Sequence, residues 1–552
     1  MEKKTARWWD KLGKPQFGGT INIRFPSNIV NFDPYNEAQL TQIFWAWMES
    51  MGGPDWTLDP ASFDYKIFLR PNQYRKGQLA ESWEFPDPYT FVVHLRKGIH
   101  WQDIPPVNGR EFTADDVVYH YQRLFGLGSG PKPSPWHATV QAYTNLISVT
   151  AADRYTAIFK WKIANPDLVM VSLLGVNPTQ VFEAREAVEK WGDLTDWHHA
   201  IGTGPFILKD FISGKSATLT KNPNYWGHDE RYPQNKLPYV DAVKIHIIPD
   251  NKQALAAMRA GEIDIICPVS LQDAQEMGKT NPEIVQIPLP FSMTATIDPR
   301  IDKAPFNDIR VRKAMQMAID LPAIAKDYYH GLVDPYPAML DSRGLKGLGF
   351  PYEEWPQDLK EEYAYNPTAA KKLLADAGYP TGFKTNVVAD TAVDLDLLKI
   401  VKSYLSQVGI DMEIRPMDSA AWSDFVLLGH KHDQMSQRPL PAAGYAFEPI
   451  RLLHGLQTGH PTHQMISDPV CDTLYPRGLA ATSAEEAKQI YRDAIEYLAR
   501  QHYSISLLQP KCFALCQPWF KGYYGQFGSI TGSAVLSFDL ARFWIDKNLK
   551  KS

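Results

Sequence analysis

Two stretches of this sequence crowd imidazoles together: "GHKHD" carries His430 and His432, and "LLHGLQTGHPTH" carries His454, His460 and His463. Neutral imidazole is the commonest side-chain ligand for a transition metal. A closed metal shell needs further ligands at set spacing, and no carboxylate or cysteine pattern completes one here. These histidines therefore read as solvated loop residues, and no metal or cofactor is expected. Cys512 and Cys516 form a C-x-x-x-C pair without a second half, while Cys267 and Cys471 lie far away in sequence. The four cysteines read as buried thiols acting as small hydrophobes, or as one disulfide and two thiols. No G-x-S-x-G elbow, P-loop or H-E-x-x-H is present, and "GLGSG" and "GTGPF" do not follow the dinucleotide fingerprint. No carboxylate spacing selects a glycosidase pair. An enzyme is not expected.

What the chain has in excess is aromatic surface. It contains 16 Trp, 26 Tyr and 25 Phe, 12% of all residues. Such side chains fill cores, and they also build recognition surfaces, where a flat apolar face and a polar edge act together. With 42 Pro besides, many loops are expected.

These side chains need elements to hold them. A chain of 552 residues exceeds one hydrophobic core and suggests about three domains at roughly 100–200 residues each. Its 44% hydrophobic and 22% charged residues are ordinary for a soluble globular protein. The formal charge of −5 shows no basic excess for nucleic acid. No apolar run is long enough to span a bilayer. "MEKKTARWWDKLGKPQFGG" has basic residues but neither an apolar core nor a cleavage site, so no export signal is read in it.

Strands are expected in "GGTINIRF", "TFVVHLR" and "YTAIFKWKI". "NFDPYN" reads as a turn before a helix from about Glu37 to Met51. "EFTADDVVYHYQRLF" reads as a helix capped by Thr113, with Asp116 three residues on. "VDAVKIHIIPDNKQALAAMRAGEIDII" runs strand, helix, strand, with Asp250 opening the helix and Gly261 closing it. "YNPTAAKKLLADAGYP" is a helix punctuated by Asn366, Pro367 and Gly378. The fold class is mixed α/β.

Several motifs in register resemble the family 5 solute-binding proteins of ABC importers, the group that includes oligopeptide-, dipeptide- and nickel-binding proteins. "LAESW", "VHLRKGIHWQD" and "EFTADDVVY" match its opening signature, with "IPPVNGR" in place of a shorter turn. "GTGPFILKDFISGKSATLTKNPNYWG", "DNKQALAAMRAGEIDI" and "PFNDIRVRKAMQMAIDLPAI" follow in the family's order. The resemblance runs from about Gly18 to Asp546.

It implies a periplasmic-binding-protein-like, two-lobed (Venus flytrap) fold with an extra domain, its mixed sheets flanked by helices. Domain I would comprise 18–55, 203–286 and 510–552, domain II would be the insert 56–202, and domain III would be 287–509. Crossings near Ile287–Phe291 and Ser504–Gln509 would form a hinge, and solute would be enclosed between the lobes. Trp83 and Trp101 are read as packing residues. The partners implied are a solute and a membrane permease, the protein itself being a monomer. Localisation would be extracytoplasmic, either free in a periplasm or lipid-anchored.

The solute is read from domain III. The family's peptide binders have W-x-x-F followed by an Asp-Tyr whose Asp pairs with the peptide ammonium. Here Trp422 and Phe425 match, Tyr445 falls on the Tyr, and Gly444 falls on the Asp. A buried ammonium without a counter-charge is costly. An oligosaccharide or another uncharged solute is therefore expected, with Trp422, Tyr445 and Phe447 as its platform. The candidate contacts from the first lobe are Trp45 and Trp47 of "FWAWM", with Asn31 from the turn after the first strand. Peptide binding through another acid, such as Glu448, and metal-chelate binding are the alternatives.

Overall fold

In the computed structural model the chain forms two compact units, Met1–Leu289 with Cys512–Ser552, and Pro290–Lys511. The structure describes residues 7–36, 42–63, 66, 74–128, 132–134, 145–174, 180–289, 293–294, 296–337, 350–391, 393–437, 440–441, 458, 463–508, 510, 512–526 and 540–550.

The first unit opens with β1 (Thr20–Phe25), in which Ile21, Ile23 and Phe25 are all buried. The chain then makes a four-stranded antiparallel sheet from β2 (Ala80–Asp87), β3 (Thr90–Leu95), β4 (Leu146–Asp153) and β5 (Thr156–Trp161), ordered β2-β3-β5-β4. Between β3 and β4 lies α1 (Ala114–Phe125), opened by a reciprocal box between Thr113 and Asp116 and closed by a left-handed Gly126. Val117, Tyr121 and Leu124 repeat at helical spacing and are fully buried, the first two in one cluster with Phe91, Phe112, Phe159 and Trp101. Each such side chain contributes about 1.5–3 kcal/mol by leaving water. Trp101 lies in this core and Trp83 packs against it, so "LAESW…RLF" is the frame of this sheet.

The other sheet of this unit takes in β6 (Phe206–Ile212), β7 (Ser216–Lys221), β8 (Ala242–Ile247), β9 (Ile265–Val269) and β10 (Val285–Leu289). With β1 and the C-terminal strand Cys512–Cys516 they form seven strands, ordered β10, the C-terminal strand, β9, β1, β8, β7, β6. β8 and β9 each lie parallel to β1, one on either side. The connection between them is α2 (Asn251–Arg259), whose first turn is capped by Asp250 accepting from the Gln253 N–H at 2.8 Å. Ile23, Ile245 and Ile265 come from three different segments and are all buried at the centre of this sheet.

The second unit has a five-stranded sheet of β11 (Thr296–Pro299), β12 (Phe383–Asp390), β13 (Ile410–Met417), β14 (Met435–Gln437) and β15 (Ile505–Ser506), ordered β13-β12-β14-β11-β15. β12 and β13 run parallel for eight residue pairs, joined by the helix Leu395–Gln407. The punctuated helix is Pro367–Asp376, with the Asn366 side chain accepting from the Ala369 N–H at 3.0 Å.

One expected element changes. Among the described residues, the helix predicted over 37–51 is a single 3₁₀ turn, Gln42–Ala46, and the chain is already extended at Gly52–Pro54. Phe44, Trp45 and Trp47 are all buried. Trp47 lies just past this turn, where the chain packs against Gly202 and Gly204. The four cysteines are free thiols and all are buried. Among the described residues no helix is long and apolar enough to cross a membrane.

Candidate functional site

In the first unit the aromatic turn is held from behind by glycines. Trp47 is fully buried, its ring 5.6 Å from Phe44 and 6.2 Å from Phe32. Its carbonyl accepts from the Gly204 N–H at 2.9 Å. A Cβ on Gly202 would stand 1.8 Å from that carbonyl oxygen, so "GTGPF" has glycines because backbone presses on backbone there. The indole N–H of Trp47 has no partner among the described residues, at a cost of about 1–3 kcal/mol. Trp45 is buried as well.

Two residues on, the Glu49 carboxylate is buried and accepts from the Tyr225 hydroxyl at 2.8 Å and the Trp226 indole at 3.0 Å. Burial raises its pKa to about 7, and the bonds from Trp226 and Tyr225 restrain the rise. The "NPNYWG" motif thus supplies the donors for a buried acid that the sequence reading did not single out.

Asn31 is half-buried, and its side chain is spent on its own turn. Its amide nitrogen donates to the Asp33 carbonyl at 3.1 Å, and its oxygen accepts from the Asp33 N–H at 3.0 Å. Beneath it lies a second group missed by sequence. Arg123 of α1 forks onto Asp33 at 2.8 and 2.6 Å and reaches Glu183 at 3.2 Å, and His120 meets Glu183 at 2.6 Å. All four are buried. The only trace in the sequence is that His120 and Arg123 stand three apart on an otherwise apolar helix face.

In the second unit Trp422 is also fully buried, packed with Val388 and Val426. Its indole N–H donates to the Val388 carbonyl at 3.1 Å, and its turn is fixed by Ser419 donating to Asp390 at 2.7 Å. Phe425 is half-buried beside it. Gly444, Tyr445, Phe447 and Glu448 lie outside the described residues, as do His454 and His460.

Contrary to the solvated reading, His432 and His463 are buried and have structural partners. His463 meets the buried Asp298 at 3.0 Å, and Gln464 donates to the same carboxylate at 3.2 Å. His432 bonds the His463 carbonyl at 2.9 Å through Nε2, which must carry the proton because a carbonyl only accepts. Burial lowers the His432 pKa to about 4. Among the described residues no group of three or more His, Cys, Asp or Glu is placed to hold a metal ion.

Comparison with known proteins adds what the geometry alone does not. Residues 75–438 match the family described as bacterial extracellular solute-binding proteins, family 5 (middle). Heme-binding protein A of Haemophilus influenzae is 26% identical over 492 residues, covering 83% of this chain and 84% of that protein. Glutathione-binding protein GsiB of Shigella flexneri is 27% identical over 347 residues, 62% of each chain. Among solved structures, the periplasmic binding protein DppA of Helicobacter pylori in complex with peptide STSA superposes with a TM-score of 0.74. It is 21% identical, and the match covers 96% of this chain and 99% of that one.

Proposed function

This chain belongs to the family 5 bacterial extracellular solute-binding proteins, and from that premise we propose that its solute is a short peptide or a peptide-like molecule of glutathione's size. The family provides ABC importers with their extracytoplasmic binding subunit, and the fold is that of its two-lobed members. The protein captures a solute outside the cytoplasmic membrane and delivers it to a membrane permease. It works either free in a periplasm or held at the outer face of the membrane by a lipid.

The observation that carries the peptide reading is the relative GsiB, named for a tripeptide and 27% identical over 347 residues. Heme stands second, because Heme-binding protein A matches more of the chain. Against it, His432 and His463 each have Nε2 committed to a protein oxygen, so neither offers that nitrogen to an iron. The oligosaccharide expected from sequence receives no support from the relatives named above.

A peptide's ammonium needs an acid once it leaves water. With Gly444 standing where the family's peptide binders carry Asp, Glu448 takes the role of counter-charge. The test is thermal unfolding with glutathione, tri- and tetrapeptides, heme and oligosaccharides. A true solute at a hundredfold excess over its Kd adds about 2.7 kcal/mol of apparent stability. The expected outcome is a rise with glutathione or peptides, lost in Glu448→Gln. A rise with oligosaccharides and none with peptides or glutathione overturns the reading.

A further inference from the structure

After β1 the chain leaves its sheet, and residues 28–36, which meet Arg123 of α1 through Asp33, are held by side chains. The Asn28 amide donates to the Ser213 hydroxyl at 2.9 Å, and the Asn28 oxygen accepts from the Gly214 N–H at 2.7 Å. The Asn31 side chain closes the turn onto Asp33, and the Ser134 hydroxyl donates to the Tyr35 carbonyl at 2.6 Å. Burial changes abruptly along it. Val30 is 79% exposed, Asn31 is half-buried and Asp33 is fully buried. That profile describes an exposed crest standing on a buried footing.

Asp33 is the footing. Its carboxylate takes two bonds from Arg123, one from the Tyr35 N–H at 3.0 Å and one from the Leu194 N–H at 3.1 Å. Four donors on two oxygens fix the carboxylate, and two of them are backbone groups of separate loops. Its orientation therefore sets both turns. The guanidinium is held in its turn. Glu183 takes it from behind and is itself met by His120, while the Tyr35 ring lies 4.8 Å from its centre. A planar fork binding one carboxylate through both oxygens transmits an angle as well as a charge, which an ammonium does not.

We infer that Arg123 is a positioning residue for solute binding. Through Asp33 it holds residues 28–36, with Val30 at the exposed crest and Asn31 beside it, in the conformation that capture requires, although it touches no solute itself. The inference rests on the proposed function together with the sequence expectation that the turn carrying Asn31 meets the solute, and adds a part to both. A loop set by side-chain bonds answers to one substitution at its footing in a way that a strand within a ladder does not.

Two variants test it, because Arg123→Ala would leave Asp33 and Glu183 buried with one cation fewer and risks the fold. Asp33→Asn keeps the shape and removes the charge, while Arg123→Lys keeps the charge and removes the fork. Each is compared with the wild type by hydrogen exchange and by calorimetric titration with whichever of glutathione, tripeptide or tetrapeptide stabilises the wild type. The expected result for Asp33→Asn is faster exchange confined to residues 28–36 and 193–195, unchanged protection in β1 and β8, and a Kd weakened at least tenfold. Arg123→Lys should fall between the two. Variants that bind within twofold of a responsive wild type overturn the inference alone, whatever their exchange shows. A wild type silent to all three probes overturns the peptide reading, and with it the use assigned to this loop.

Discussion

Glu183 and Glu49 are the same residue type, both buried in the first unit, and their environments drive them in opposite directions. Burial raises both, but at Glu183 the neighbouring His120 and Arg123 outweigh it and hold the carboxyl down to about 2. At Glu49 the immediate partners are a phenol and an indole, which donate hydrogen bonds without charge, and the group stands near 7. The charge of the donor, and not depth, decides whether a buried acid stays ionised. In the first arrangement His120 and the permanently charged Arg123 guanidinium together face the carboxylate. The second changes charge in the neutral range.

Four substitutions break or sharpen that contrast. Arg123→Met removes the fixed cation and leaves two carboxylates buried, and it should cost about 3–5 kcal/mol in urea unfolding at neutral pH. If the loss is under about 1 kcal/mol, the cluster does not depend on its guanidinium.

Glu49→Gln tests the other arrangement. The folded pKa of about 7 lies above the ordinary 4.5, so the folded state keeps a proton that the unfolded state has lost. Stability from this group is therefore greatest at low pH, falls as pH rises from about 4.5 to about 7, and levels off above, for roughly 3 kcal/mol in all. The glutamine variant should lose that slope, read from unfolding midpoints at pH 5 and pH 8. Equal slopes in variant and wild type would show that Glu49 stays ionised.

Gly202→Ala reaches the same turn through the backbone. The new Cβ would meet the Trp47 carbonyl and push the strand of chain that carries Glu49, at about 1–3 kcal/mol with no change in pH slope. Trp422→Phe, in the other unit, takes the neutral indole donor away from the buried Val388 carbonyl and should cost about 1–3 kcal/mol at every pH. It provides the baseline for an uncharged interaction.

Much of the fold was legible because caps and periodicity are local. Thr113 with Asp116, Asp250 and Asn366 open their helices as read, since each satisfies N–H groups within three residues of itself. The aromatic turn was not legible as such. Its α-helical expectation came from the turn read in "NFDPYN" before it, whereas Gly202 and Gly204 lie more than 150 residues away and press on it. Trp422 was read as a platform from its motif. Its packing on Val388 depends on β12, a strand from another part of the sequence.

By itself the sequence determined the class of fold, most helix ends and the family, all of which rest on short-range caps or on motifs in order along the chain. Only the tertiary structure decided where the charges went. The acids Asp33 and Glu183 are 150 residues apart, yet both come to lie on one guanidinium. Glu49 finds its phenol and indole about as far along the chain. Water screens such groups in the open chain, and their mutual effect appears when folding excludes it.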